Sequence, residues 1–94
     1  MTAARLLRYY KTPEVVEALY DSVQDEDHLV RNISAESLLY IHGLPATISE
    51  HYEEISAEIL VYYDREDEEK RKEARKHYKK AAEMLRAVIE SKSN

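Results

Sequence analysis

Ninety-four residues are enough for one small domain with a thin core. The chain has a formal net charge of −5, no cysteine, one glycine and two prolines. Disulfides and thiol chemistry are excluded, neither a phosphate-cradling Gly-rich loop nor a nucleophile elbow can be built, and the shortage of turn residues favours an all-α protein.

The charge is uneven. Residues 1–63 hold 4 basic and 11 acidic side chains, whereas residues 64–94 hold 10 basic and 8 acidic ones. An acidic front argues against nonspecific nucleic-acid binding by that half, and no nucleic-acid partner is expected. No apolar run is long enough to span a bilayer and no signal peptide opens the chain, so a soluble, cytoplasmic protein without a membrane partner is expected.

Residues 1–11 read as a short helical stub, with Thr2 as cap and Ala3, Leu6, Leu7 and Tyr10 on one side. It is too short to stand alone and must dock. Thr12 then caps a second helix with Pro13 at its first position, and Val15, Val16, Leu19, Tyr20 and Val23 form its stripe. The acidic turn Asp25-Glu26-Asp27 follows. Asp27 is placed to cap a third helix, whose face is Val30, Ile33, Ser34, Ser37, Leu38 and Ile41, and Gly43 is placed to end it. Residues 12–43 thus form a first helical hairpin.

The run Pro13…Leu19…Val23-x-Asp25-Glu26-Asp27-x-x-Val30-Arg31…Ala35…Leu38…Ile41-x-Gly43 resembles one HEAT-like repeat. The Asp-x-Asp turn and the Val-Arg pair carry most of the resemblance, and Ser34 and Ser37 stand where the family usually has Ala. The resemblance implies a helical solenoid and a protein-binding scaffold, and implies no chemistry.

Pro45 breaks the chain, and Thr47-x-x-Glu50 is a capping box that starts another helix near Ile48. Its stripe is Ile48, Tyr52, Ile55, Ile59 and Tyr62 or Tyr63, with Ala57 and Leu60 at the margins. From Asp64 to Lys80, fourteen of seventeen residues are charged. Acidic residues precede basic ones, and Glu66–Lys70, Asp67–Arg71 and Glu68–Lys72 are i,i+4 pairs in the favourable order. This arrangement predicts a last helix from about Arg65 to Glu90, with the stripe Ala74, Tyr78, Ala81, Leu85, Val88 and Ile89. Residues 47–91 make the second hairpin, and its continuity through Tyr63-Asp64 is left open.

A shift of 40 residues brings Val15 onto Ile55, Leu19 onto Ile59, Asp27 onto Asp67, Arg31 onto Arg71 and Leu38 onto Tyr78. A degenerate second repeat at about 53–83 follows, with Lys70 where the first copy has Val30 and no terminal glycine. Asp25, Asp27, Arg31, Asp67 and Arg71 are assigned structural roles. Arg31 is expected to bond the acidic turn of its own or a neighbouring repeat.

Catalytic signatures are scarce. His28, His42, His51 and His77 are nowhere spaced i,i+4 and none follows a Glu by three residues, so no metal site is expected. The Asp25-Glu26-Asp27 run lacks the glycine and distal Glu of a calcium loop. The basic stripe Arg71, Lys72, Arg75, Lys76, Lys79 and Lys80 is diluted by Glu68, Glu69 and Glu73 and reads as a solvated face. No cofactor is expected.

All eight aromatic residues are Tyr. Core positions near water explain Tyr20, Tyr52 and Tyr78. The adjacent pairs Tyr9-Tyr10 and Tyr62-Tyr63 cannot both hide on one helix face, and Tyr40 lies off the core stripe. Leu6, Tyr9, Tyr10, Tyr40, Tyr62 and Tyr63 are therefore the candidate partner-binding residues. Apolar surface near Leu6, Tyr9, Tyr10 and Tyr20 is expected to stay open for a partner or a second copy.

The fold expected is a short HEAT-like α-solenoid of two antiparallel helical hairpins with an N-terminal stub. The function expected is a non-catalytic protein–protein interaction module, natural or engineered. The alternative is a small acidic inhibitor or immunity-type protein that blocks a basic active site through Glu53, Glu54 and Glu58.

Overall fold

A computed structural model describes residues 12–44 and 49–92, without the side chains of residues 49–51. Leu6, Tyr9, Tyr10, the rest of the stub, Thr47 and Ile48 lie outside the described residues. Within them the chain is all-helical, with no strand. The four helices are α1 (Pro13–Ser22), α2 (His28–Ile41), α3 (Ser49–Ile59) and α4 (Glu68–Lys92).

Local chemistry sets most of the boundaries. The Thr12 hydroxyl accepts from the Val15 N–H at 3.2 Å, and Pro13, which has no N–H to satisfy, opens α1. Asp27 caps α2 by accepting from Leu29 N–H at 2.9 Å. At the other end Gly43 adopts φ +71°, where a side chain would be strained. The Leu44 N–H then reaches back to the Leu39 carbonyl at 2.8 Å, and Gly43 N–H to Tyr40 at 3.0 Å, the paired bonds of a Schellman stop.

The predicted last helix begins later than expected, at Glu68 rather than Arg65, and runs to Lys92 rather than Glu90. Asp64 and Asp67 are the reason. Asp64 Oδ1 accepts from the N–H groups of Glu66 and Asp67, and Asp67 Oδ1 from those of Glu69 and Lys70. These bonds hold residues 64–67 in a turn and make Asp67 the cap. Likewise α3 stops at Ile59, so Tyr62 and Tyr63 belong to the connection and not to a helical stripe.

α1 packs on α2 and α3 on α4, and the two pairs meet through α2 with α3 and α1 with α4. The core joins Leu19, Tyr20 and Val23 to Ala35, Leu38 and Leu39 of α2, Ile55 and Ile59 of α3, and Ala81, Leu85 and Ile89 of α4. Tyr20 is only 4% exposed, and the open apolar surface expected near Leu6, Tyr9 and Tyr10 falls on residues outside those described. The Tyr20 ring carries the Arg86 guanidinium at 4.0 Å, and Arg86 also grips both oxygens of Glu17 at 3.0 Å, which ties α4 to α1. Ala35 and Leu39 are fully buried although they flank the predicted stripe of α2, because that helix packs against neighbours on two sides.

Ser34 is fully buried, and its hydroxyl lacks a hydrogen-bond partner among the described residues. A desolvated, unsatisfied hydroxyl is a cost that Ala avoids. Ser34→Ala is expected to raise stability by about 1 kcal/mol, read as a higher urea midpoint at unchanged m.

Candidate functional site

Arg31 organises the end of the molecule where the acidic turns lie. It is the largest buried side chain, 2% exposed. Its Nε donates to the Ile59 carbonyl at 2.7 Å and its Nη1 to the Asp25 carbonyl at 2.8 Å, with a longer Nη2 bond to Val61 at 3.4 Å. The guanidinium carbon lies 3.8 Å from the centre of the Tyr78 ring. Tyr78 in turn donates its hydroxyl to the Val61 carbonyl. Arg31 thus bonds the acidic turn through a backbone oxygen and not through a carboxylate. Burial pushes its pKa below the ordinary arginine value, while Tyr78 and the nearby Asp25 and Asp27 oppose that fall. It remains a cation at neutral pH.

Asp25 Oδ1 accepts from Asp27 N–H at 2.8 Å, which shapes the turn. Arg71 makes a bond like that of Arg31, from Nη1 to the carbonyl six residues earlier, Arg65, at 2.8 Å. Its Nε is buried and has no partner among the described residues. The two arginines therefore differ: one is shared between α2 and the end of α3, and the other serves its own turn.

Beside Arg31 opens a cleft of about 240 Å³ lined by Glu26, His28, Arg31, Leu60, Val61, Tyr62 and Tyr63. Leu60 is 59% exposed and Tyr62 78%. Leu29, the residue after His28 on α2, is 57% exposed. Tyr63 is half-buried, with its ring 6.4 Å from that of Tyr78 and its hydroxyl accepting from Arg75 at 3.2 Å. Across the rim Arg65 pairs with Glu26 at 2.9 Å, between two side chains that are both well exposed.

Of the candidate partner-binding residues, Tyr62 and Tyr63 meet at this cleft. Tyr40 is exposed, but it stands nine residues beyond Arg31 on α2, about 14 Å along the helix axis. Glu26, His28 and Leu60 line the cleft but are not among the residues expected from the sequence to bind a partner. Leu60 is the informative omission: read as the margin of a helix, it becomes an exposed loop residue once α3 stops at Ile59.

No family model, no curated protein and no solved structure matches the chain.

The chemistry available is limited. Among the described residues no group of three or more His, Asp or Glu side chains is placed to hold a metal ion. No helix among them is long and apolar enough to cross a membrane. A second groove, of about 450 Å³ between α3 and the C-terminal half of α4, is lined mainly by Ile55, Met84, Ala87 and Val88, with Glu54, Ser91 and Lys92 at its edges.

One polar cluster does link helices. The Glu58 carboxylate, 17% exposed, faces His77 through one oxygen and Lys80 through the other at 3.3 Å. The His77 hydrogen bond first, and Lys80 after it, holds the Glu58 carboxyl below the usual carboxylate range, against a raising effect of burial. A depressed folded-state pKa contributes stability above the unfolded value and loses it as the pH falls through the folded one. Glu58→Gln is expected to cost about 1 kcal/mol at neutral pH. The gap from the parent protein should close below about pH 4, which thermal melts across a pH series would measure.

Proposed function

We propose that the protein is a non-catalytic protein–protein interaction module, and that the cleft beside Arg31 is its contact surface. The observation that carries this reading is the exposure of Leu60 and Tyr62 around a cleft lined by a buried arginine that bonds backbone carbonyls. Large apolar and aromatic side chains left at 59% and 78% exposure on one short connection are a cost to an isolated chain and an asset to a bound one. Arg31 holds the connection in place, since its acceptors include Ile59 and Val61 on either side of Leu60. The surface is thereby pre-organised, which lowers the entropic cost of binding.

The scaffold we propose is two antiparallel helical hairpins of HEAT-like type. The 40-residue correspondence of Asp27 with Asp67 and Arg31 with Arg71 supports it: each Asp caps its helix, and each Arg bonds the carbonyl six residues back. No cofactor enters this function. The acidic-inhibitor alternative is weakened at Glu58, whose carboxylate is directed to His77 and Lys80.

The test is affinity capture with the intact protein and with Tyr62→Ser combined with Leu60→Ser. The parent protein is expected to retain a partner that the double variant loses about tenfold or more, while Glu83→Gln on the exposed face of α4 keeps it. Equal capture by parent and double variant, at equal helicity, would remove the cleft from the contact surface.

A further inference from the structure

The cleft has a charge as well as a shape. Residues 25–31 and 60–67 together carry six acidic and two basic side chains, and Arg71 and Arg75 add two cations through their bonds to the Arg65 carbonyl and the Tyr63 hydroxyl, which leaves a surplus of two negative charges. All four basic groups are engaged. Arg31 directs its donors inward to backbone carbonyls, and Arg65 is paired with Glu26. Asp25, Asp27, Asp64 and Asp67 each hold a backbone N–H with one oxygen, and a carboxylate has a second oxygen with its own lone pairs. Toward solvent the cleft therefore presents the Tyr62 ring and the Leu60 side chain, with Glu26 in its lining and a surplus of negative charge on the turns beside it.

We infer that this surface takes a cationic peptide segment of a partner protein: an apolar or aromatic anchor against Leu60 and Tyr62, with lysine or arginine side chains on the acidic turns. The inference rests on the protein-binding reading of the cleft. Three physical terms favour this occupant. The anchor covers exposed apolar surface. A flanking cation can lie over the open face of Tyr62, which is electron-rich. The field of the two acidic turns steers positive charge toward the cleft and repels negative charge. An anionic ligand drawn by Arg31 would have to enter past those turns and displace carbonyl oxygens already bonded to the guanidinium.

The experiment uses the intact protein and three labelled peptides in fluorescence anisotropy. One has a Leu-Phe pair flanked by lysines, the second the same pair flanked by glutamates, and the third lysines flanking Gly-Ser. The lysine-flanked Leu-Phe peptide is expected to bind, and about tenfold more weakly when salt rises from about 50 to about 500 mM. Tyr62→Ser, and separately Glu26→Gln with Glu66→Gln, should each weaken it about tenfold. The other two peptides should bind more weakly still. Stronger binding of the glutamate-flanked peptide, or binding of the lysine-flanked one that ignores both variants, would overturn the inference. The two readings fail separately. If Tyr62→Ser with Leu60→Ser abolishes partner capture but salt and the Glu26/Glu66 variant leave it unchanged, the cleft is still a contact surface and its occupant is not cationic.

Discussion

Arg31→Met is expected to lower stability by about 3 kcal/mol, a large share of what a domain of this size possesses. Methionine keeps much of the buried aliphatic stem, so the loss isolates the guanidinium. The Ile59 and Asp25 carbonyls would each lose a donor, one of them at a buried site, at about 1–3 kcal/mol for a fully buried group. The contact with the Tyr78 ring goes as well. A fall of about 10 °C or more in the melting temperature should follow, with the helical circular dichroism at low temperature retained. Arg31→Lys should recover little of it, since a single ammonium cannot present the same fixed fork to carbonyls on different segments. Arg71→Met is the internal control. Its guanidinium bond to the Arg65 carbonyl is exposed, so a cost below about 1 kcal/mol is expected. Equal costs at the two arginines would show that the contact of Arg31 with the end of α3 contributes nothing.

Tyr78→Ala is expected to be at least as damaging, at about 3–5 kcal/mol. The ring is fully buried and lies between Arg31 on one side and Tyr63 on another, while its hydroxyl serves the Val61 carbonyl. Removal leaves a cavity under the guanidinium and frees the connection that carries Leu60 and Tyr62. Tyr78→Phe keeps the ring and loses only the hydroxyl bond, at about 1 kcal/mol. Because Arg31 and Tyr78 share both a contact and an acceptor residue, Arg31→Met with Tyr78→Phe should fall short of additivity by about 0.5 kcal/mol or more. Chemical denaturation of the four species would measure that coupling. Additive costs would mean that the two side chains stabilise the connection independently. Tyr78→Ala should also blunt peptide binding at the cleft, since it loosens the residues that present Tyr62.

Much of the fold is written locally. Thr12 with Pro13, Asp27 and Gly43 mark helix ends because caps and stops are made by groups within a few residues of the boundary. Leu19, Val23, Leu38, Ile55, Ile59, Tyr78 and Leu85 are recognisable as core from helical spacing alone, and all are buried. Tyr62 stands out in the sequence because adjacent tyrosines diverge on any helix, and it is the most exposed large hydrophobic described. The break after Ile59 was not legible in the same way. No glycine or proline marks it, and residues 60–67 continue a plausible helical pattern. The chain leaves the helix there because Asp64 and Asp67 take backbone N–H groups, and because Arg31 and Tyr78 take the carbonyls of Ile59 and Val61. Asp64 and Asp67 act over two or three residues and could have been read as a competing cap. Arg31 meets Ile59 and Val61 28 and 30 residues away, and Tyr78 meets Val61 17 residues away. Those bonds exist only once α2 and α4 lie beside the end of α3. The helices and their buried faces thus follow from short-range chemistry, whereas the cleft, with Leu60 at its edge and Arg31 beneath it, exists only through the packing of helices that are distant in the chain.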